Sequence, residues 1–393
     1  MTDTATDTAK KRRLFGGLLL LWLLPAIQTG LYMKVFRSQP PGYEATLPRP
    51  TLSAAGLWAS SYQPALEAYT TQHIGFRKWL MRARNQLVFS VFDEPHSPVV
   101  VGRQGVLFEE EPLRAALGLG HALTPTEIQT RVRCLRALQD TLARRGKSLL
   151  FVIAPSKASL YPEYWPDSAQ HASRRTTNYE RLRGPLQASG LHLLDLGTVF
   201  RNWKRSSPYP LFPSGGIHWS GYAVPRAADT LRRFFSAHSR FELPAVHQTG
   251  LRAGGPPEGT DDDLLKLLNM FVDPAPLQPL AYPKLAFDAP RPGQPRPRVL
   301  LVADSFAWSL VEFYPYFDNW FGPGSHFWFY NREVVWPKVN GEVPPPTDVA
   351  AHDLRAKLAA HDVVLLLFSE QNLLAGDVGF STNALATFTK PAP

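Results

Sequence analysis

The chain has 393 residues, of which 44% are hydrophobic and 19% are charged. This length and composition allow a substantial buried core, so the class of disordered proteins is excluded. The formal net charge is +9, but without the basic run Lys10–Arg13 the remaining chain has 38 basic and 33 acidic side chains. No cluster of Lys and Arg with interleaved aromatic residues follows residue 40, which argues against a nucleic-acid-binding protein.

The first predicted element is a membrane anchor. A basic cytoplasmic tail at residues 1–13 precedes twenty uncharged residues at Leu14–Met33, and a helix of about twenty residues matches the hydrocarbon core of a bilayer. A cleavable signal peptide is the alternative, although this run is longer than a usual signal core and no small-x-small cleavage site follows it. The basic residues orient the N-terminus to the cytoplasm. A single-pass protein of a bacterial inner membrane, with its main domain in the periplasm, is therefore predicted.

Two short segments follow the predicted anchor. Residues 34–50 are punctuated by proline and predict an extended spacer. Residues 51–95 have apolar side chains at helical spacing and predict a helical cap. One exported domain, residues 51–393, would begin with this cap. The single cysteine, Cys134, permits no internal disulfide, so the exported part depends on its core for stability.

Strand and helix patterns alternate through the main body of the chain. Val99–Phe108, VVVGRQGVLF, predicts two short strands around a glycine turn. Thr124 as N-cap, Glu127 as its capping-box partner and Gly146 as stop signal predict a helix. Apolar runs of strand length follow at Ser148–Lys157, Leu191–Leu196, Val299–Phe306 and Val363–Glu370, and helical patterns at Asn178–Ala188 and Tyr222–Ala237. This alternation predicts a mostly parallel α/β sheet.

Two residues suggest chemistry at the edge of this sheet. Ser305 stands at the end of an apolar strand, and ligands and catalytic groups collect at the carboxyl ends of strands in open α/β sheets. His218 lies on a glycine-rich turn, in LFPSGGIHWSGYAV, where it could take the proton of a serine nucleophile. Each residue alone also has a structural interpretation, Ser305 as a helix N-cap and His218 as a packed histidine. Spacing cannot decide whether residues some ninety positions apart meet.

Six short motifs occur in a fixed order: HIGFRKWL, VVVGRQGVLF, APSKASLYPEYWP, IHWSGYA, VADSF and FSE. Over roughly Leu52–Leu373 the chain thereby resembles the SGNH-hydrolase-like proteins of bacterial exopolysaccharide O-acetylation, the AlgJ and AlgX alginate O-acetyltransferase type. The resemblance implies a doubly wound α/β sheet with a helical N-terminal cap, and acetyl transfer through serine. By position, Ser305 matches the family nucleophile and His218 the family base.

The chain departs from the family pattern at two positions. The family aspartate that stands two residues before the histidine is replaced by Gly216, and the glycine before Asp-Ser by Ala303, whose methyl group could crowd the oxyanion site. Without a carboxylate to hold the imidazole, an ungapped match predicts a weakened Ser-His pair. Another carboxylate could reach His218, with Asp195 and Glu370 as candidates at strand ends. Otherwise a backbone carbonyl could hold the ring, or the site is degenerate.

Four further residues are candidates for the substrate cleft. Trp219 could form the wall of a sugar-binding cleft or pack in the core. Lys157 and Tyr161 follow a strand end and could line the same cleft, or lie in a solvated loop. Asp304 is a fourth candidate, although hydrogen bonds to loop amides explain it better. The acidic run Asp261–Asp263 predicts the first turn of a helix and has no metal-ligand spacing, so no cofactor is predicted.

The leading hypothesis is a membrane-anchored periplasmic O-acetyltransferase-like protein that modifies an exported polysaccharide. The resemblance implies a multi-pass membrane acyltransferase as the source of acetyl groups. The alternative is a catalytically degenerate glycan-binding or scaffold subunit of a polysaccharide synthesis complex, which the glycine at position 216 favours. A simple esterase that uses water as acceptor is a third possibility.

Overall fold

The computed structural model describes residues 3–30, 47–92, 98–272, 279–290, 293, 295–337 and 345–389. The chain divides into two compact units. The first comprises residues 1–97 and 266–273, and the second comprises residues 98–265 and 274–393. Most of the predicted spacer lies outside the described residues.

The first unit is helical. Its helices are α1 (Asp3–Gly30), α2 (Ala54–Trp58), α3 (Tyr62–His73) and α4 (Arg77–Phe92). Three of them occupy the segment whose apolar spacing predicts a helical cap. Across the parts of the chain that the structure describes, no helix is both long enough and apolar enough to cross a membrane. The predicted anchor at 14–33 coincides with α1 over residues 14–30, and its last three residues lie outside the described part of the chain.

The second unit is built on a seven-stranded mixed sheet. Its strands are β3 (Ser148–Ala154), β4 (Leu193–Asp195), β7 (Val299–Ala303), β8 (His326–Phe329), β9 (Glu333–Trp336), β10 (Thr347–Asp348) and β11 (Val363–Ser369). The order across the sheet is β10-β9-β8-β7-β11-β3-β4. The pairs from β8 to β4 are parallel, and β9 and β10 are antiparallel additions at one edge. The prediction of a mostly parallel sheet is confirmed.

Helices cover both faces of this sheet, which explains why its central strands are apolar throughout. The helices that begin in this unit are α5 (Glu110–Ala116), α6 (Pro125–Ala143), α7 (Lys157–Leu160), α8 (Asp167–Gln170), α9 (Asn178–Ala188), α10 (Leu196–Lys204), α11 (Ala223–His238), α12 (Asp263–Leu268), α13 (Tyr316–Trp320), α14 (Leu354–Ala360) and α15 (Phe380–Thr389). Aromatic residues of α10, α11 and α13 pack on one face, and apolar residues of α6, α9 and α14 pack on the other. The fold is thus a doubly wound α/β fold.

Several local predictions are confirmed. Helix α6 begins after Thr124, whose side chain accepts from the backbone of Glu127 while the Glu127 side chain closes the capping box. The two strands predicted around a glycine turn form the hairpin β1 (Val99–Val101) and β2 (Leu107–Glu109). Capping and turn chemistry are local properties, so short sequence patterns suffice to predict them.

The segment 274–297, which is rich in proline and glycine, contains a strand that its composition does not indicate. Residues Ala281–Phe287 form strand β6, which pairs with β5 (Val246–Ala253) in a separate two-stranded sheet. Pro283 lies within β6, which a two-stranded ribbon tolerates because a strand at a sheet edge need not donate every backbone hydrogen bond.

Candidate active site

Strand β7 carries Ser305 to the carboxyl edge of the sheet. Asp304 follows the strand and is fully buried. One of its carboxylate oxygens accepts from the backbone of Phe306, and the other accepts from the backbone and hydroxyl of Ser369 and from the side chain of Asn372. These bonds fix the tight turn in which Ser305 sits, between β7 and the next helical segment. Asp304 therefore shapes the turn, which confirms the interpretation that it accepts hydrogen bonds from loop amides, and it is not among the residues that line the cleft.

The structure brings His218 and Ser305 together. His218 Nε2 lies 2.9 Å from Ser305 Oγ, which is hydrogen-bonding distance for a base and its nucleophile. The ring of Phe306 packs edge-on against the imidazole, with 5.0 Å between ring centroids. The His218 side chain is only 12% exposed, so its orientation is fixed by packing as well as by polar contacts.

The third member of the constellation is Asp263, the first residue of α12. Asp263 Oδ2 lies 2.6 Å from His218 Nδ1, and Asp263 Oδ1 accepts from the backbone of Ile217 at 2.8 Å. This carboxylate holds the Nδ1 proton, which leaves Nε2 free to accept the proton of Ser305. Sequence alone assigns Asp263 to a helix start, and its contact with His218 is not predicted. Another carboxylate thus reaches His218, as one of the alternatives predicts, but it is that of Asp263 and not that of Asp195 or Glu370.

Gly216 explains why the carboxylate comes from another segment. A Cβ atom at this position would lie 2.7 Å from the carbonyl oxygen of Thr260 and 2.9 Å from that of Asp261. Such distances are too short for any side chain, and backbone atoms cannot give way cheaply. The residues just before α12 thus occupy the space in which an aspartate at position 216 would begin. The same close approach carries Asp263 to the imidazole.

The two carboxylates proposed as replacements serve other partners. Asp195 caps α10 and accepts from Thr198 and from the hydroxyl of Tyr179. Glu370 is almost fully buried and pairs with Arg201 at 3.3 Å, and burial raises the pKa of Glu370 to about 7. Neither is the partner of His218 Nδ1, because Asp263 occupies that position. Both predictions are corrected.

Three other predicted cleft residues are structural. Trp219 is 1% exposed and packs edge-on against Phe306 in the core. Lys157 is also buried, and its Nζ donates to the carbonyls of Leu107, Ser214 and Gly216. The Tyr161 hydroxyl accepts from the backbone of Leu211. None of the three lines the cleft formed by the described residues around Ser305.

A cleft of about 600 Å³ opens onto Ser305 and His218. Its charged walls are Glu109, Glu111, Arg114 and Glu370, and its uncharged polar walls include Ser156, Ser159, Thr177, Asn178, Tyr179, Tyr330, Gln371 and Asn372. Such a volume is in the usual range for small-molecule sites. Many hydroxyl and amide groups suit a polyhydroxylated ligand. Ala303 is buried in the core and is not part of this lining, so its methyl group does not narrow the cleft.

Tyr330 is a wall residue that sequence patterns do not reveal. It follows β8 with a φ of 49°, and its backbone N–H donates to the carbonyl of Ala303. Its hydroxyl accepts from the side chain of Asn372 at 3.3 Å. Burial raises the pKa of the Tyr330 hydroxyl, although hydrogen bonds with Asn372 and Ser305 oppose this. The hydroxyl thus stays protonated at neutral pH and lies beside the serine.

Among the described residues there is no group of three or more His, Cys, Asp or Glu side chains that could hold a metal ion.

A Ser-His-Asp constellation at the carboxyl edge of a doubly wound sheet defines a protein of the serine acyl-transfer class. The family model described as the SGNH hydrolase-like domain of the acetyltransferase AlgX matches residues 99–316. Because this match covers more than half of the chain, the protein belongs to this family.

Two individual relatives agree with this assignment. The chain is 27% identical over 316 residues to the probable alginate O-acetylase AlgJ of Pseudomonas aeruginosa, a match that covers 75% of this chain and 72% of the relative. It is 25% identical over 211 residues to the probable alginate O-acetylase AlgJ of Azotobacter vinelandii, a match that covers 53% of this chain and 51% of the relative. Among solved structures, the O-acetyltransferase domain of Pseudomonas putida AlgJ matches 74% of this chain and 100% of that domain, at 18% identity and a TM-score of 0.42.

Proposed function

We propose that this protein transfers acetyl groups to an exported polysaccharide through an acetyl-serine intermediate at Ser305. The observation that carries the proposal is the pair of contacts that joins Ser305 to His218 and His218 to Asp263, at 2.9 and 2.6 Å. Family membership and the names of the AlgJ relatives support acetyl transfer and a polysaccharide acceptor.

The reaction has two half-reactions. In the first, Ser305 Oγ attacks the carbonyl carbon of an acetyl donor while His218 Nε2 takes the serine proton, and the imidazolium then gives this proton to the departing group. In the second, a sugar hydroxyl attacks the acetyl-serine, and His218 takes the hydroxyl proton and returns it to Ser305 Oγ. Asp263 stabilises the imidazolium in both. The acetyl group ends as an ester on the sugar, and the serine is regenerated.

The negative oxygen formed in each half-reaction needs hydrogen-bond donors. We assign this task to the backbone N–H of Ser305 and to the hydroxyl of Tyr330. Asn372 donates to the phenol oxygen of Tyr330, so the phenol hydrogen is available to a second acceptor. Donors that are held in place before the reaction need no reorganisation during it, which is the main advantage of such a site.

Acetylation of Ser305 tests the proposal directly. Incubation of the full chain with an activated acetyl ester is expected to give one acetyl group per chain, located on Ser305 by peptide mass spectrometry. A Ser305→Ala variant serves as the control and is expected to remain unlabelled at this peptide. The absence of any label between pH 6 and 9 would favour the scaffold alternative, and steady turnover without a sugar acceptor would favour an esterase.

The domain is further proposed to work in the bacterial periplasm, on acetyl groups supplied by a multi-pass membrane acyltransferase. Support comes from the basic run Lys10–Arg13 and the twenty uncharged residues that follow it, and from membership in a polysaccharide-modifying family. Protease added to spheroplasts is expected to digest the domain, while a cytoplasmic marker stays intact. A domain that is degraded only after the inner membrane is lysed would contradict this location.

A further inference from the structure

The charged residues of the cleft are unevenly balanced. Three glutamates line the cleft, at positions Glu109, Glu111 and Glu370. Among the described residues of the lining, Arg114 is the only Lys or Arg. Glu111 lies 3.8 Å from Arg114, and Glu370 pairs with Arg201 behind the wall. Two of the three carboxylates are thus opposed by a guanidinium. The third, that of Glu109, has no ion pair among the described residues.

Glu109 lies at the end of β2 and lines the cleft that opens onto Ser305 and His218. It is the N-cap residue of α5, but its side chain makes no capping bond there. Within the described part of the chain, no hydrogen bond or ion pair is seen for its carboxylate. Burial raises the pKa of Glu109, and the charge of Asp263 raises it further while that of His218 lowers it. Above this raised pKa, the Glu109 carboxylate places in the cleft a negative charge that no Lys or Arg side chain of the described residues opposes.

Such a charge discriminates between polysaccharides. A polyuronate carries one carboxylate on every sugar, so its reacting sugar would bring a second negative charge towards Glu109 in a partly desolvated cleft. Like charges brought together in this way weaken binding and suppress wrong partners. A sugar that offers hydroxyl or ammonium hydrogens would instead satisfy the free acceptor oxygens of Glu109.

We infer that the acceptor is a polysaccharide whose reacting sugar has no carboxylate, that is, a neutral sugar or an amino sugar. This inference deepens the proposed function and rests on it for the acetyl-transfer step. It differs from what the names of the AlgJ relatives suggest for those proteins, since alginate is a polyuronate. Glu109 is thereby assigned as a specificity-determining residue.

The experiment uses protein acetylated on Ser305 and three length-matched oligosaccharides, of neutral hexose, hexosamine and hexuronate. Loss of acetyl from Ser305 and gain of acetyl on the sugar are measured at low ionic strength. The neutral sugar or the hexosamine is expected to react about tenfold faster than the hexuronate, a factor that corresponds to the repulsion of one partly exposed charge pair. Glu109→Gln is expected to reduce this preference to threefold or less, mainly through KM.

Glu111→Gln is the matched control, because Glu111 lines the same cleft and is exposed beside Arg114. It is expected to keep the preference of the unaltered protein. Faster reaction with hexuronate, or an unchanged preference in Glu109→Gln, would overturn the inference. Thermal unfolding is used to verify that the Glu109→Gln protein is folded.

Equilibrium binding keeps the inference testable if Ser305 takes up no acetyl, an outcome that would refute the proposed function alone. The same three oligosaccharides are titrated into the unaltered full chain and into Glu109→Gln. Tighter binding of the neutral or amino sugar, with the difference lost in Glu109→Gln, supports the acceptor class. Equal or tighter binding of hexuronate to the unaltered protein, or no binding of any of the three, rejects it.

Discussion

Replacement of Asp263 by asparagine is expected to slow acetylation of Ser305 about 10⁴-fold, the loss observed when the carboxylate of a Ser-His-Asp triad is disabled. The new side chain could still accept from the backbone of Ile217 through its amide oxygen. Its amide NH₂ would then face His218 Nδ1 as a donor. Nδ1 would have to accept, and the ring proton would move to Nε2. His218 could no longer take the proton of Ser305.

The measurement is the rate of acetyl-enzyme formation with an activated ester, under single-turnover conditions. Asp262→Asn is a suitable control, since it removes one negative charge at the neighbouring position without removing the contact with His218. We expect Asp262→Asn to remain within a few fold of the unaltered protein. An Asp263→Asn protein that folds and keeps more than a tenth of the original rate would show that the triad does not operate as described.

An aspartate introduced at position 216, where the family has its aspartate, should not restore activity to Asp263→Asn. In Gly216→Asp combined with Asp263→Asn, the new Cβ would meet the backbone oxygens of Thr260 and Asp261 at less than 3 Å. The loop would have to move, and with it His218. We therefore expect the double variant to be less stable than Asp263→Asn and no more active, as judged by thermal unfolding and by the same rate measurement.

The nucleophile and the base could be predicted from sequence because each depends on local features. Ser305 follows an apolar strand, where the topology of the sheet fixes its position, and His218 stands in a short recognisable motif. The acid could not be predicted, because a helix start explains the run Asp261–Asp263 equally well. Its role depends on how closely two loops approach, which no local pattern encodes.

The position of the histidine loop depends on a buried cation that sequence reasoning placed in the cleft. The three N–H groups of the Lys157 ammonium donate to three carbonyl oxygens, of Leu107 at the start of β2 and of Ser214 and Gly216 in the loop. Burial lowers the pKa of Lys157 to about 7, while the charge of Asp263 raises it. Like Trp219, Lys157 belongs to the support of the site, and only tertiary packing distinguishes such residues from the cleft wall.

Tyr330 is held beside Ser305 at a conformational cost. Both Tyr330 and Asn331 adopt positive φ angles, of 49° and 53°, and such backbone conformations cost on the order of 1–3 kcal/mol for residues other than glycine. The cost is offset by local bonds, including the one from the side chain of Asn331 to the carbonyl of Val378. Strained residues of this kind are concentrated at functional sites.

We expect Tyr330→Phe to lower the rate of Ser305 acetylation about 100-fold, because one oxyanion donor is commonly worth roughly 10²–10³ in kcat. The phenyl ring keeps the packing, so KM and thermal unfolding should change little. Tyr179→Phe is the matched control: its hydroxyl also lies in the cleft wall but is bonded to Asp195. That variant should lose stability without a comparable loss of rate. Burial raises the pKa of the Tyr330 hydroxyl, so this donor is protonated throughout the pH range of the assay. If Ser305 of Tyr330→Phe is acetylated at a rate within threefold of that of the unaltered protein, the second oxyanion donor is therefore a different group.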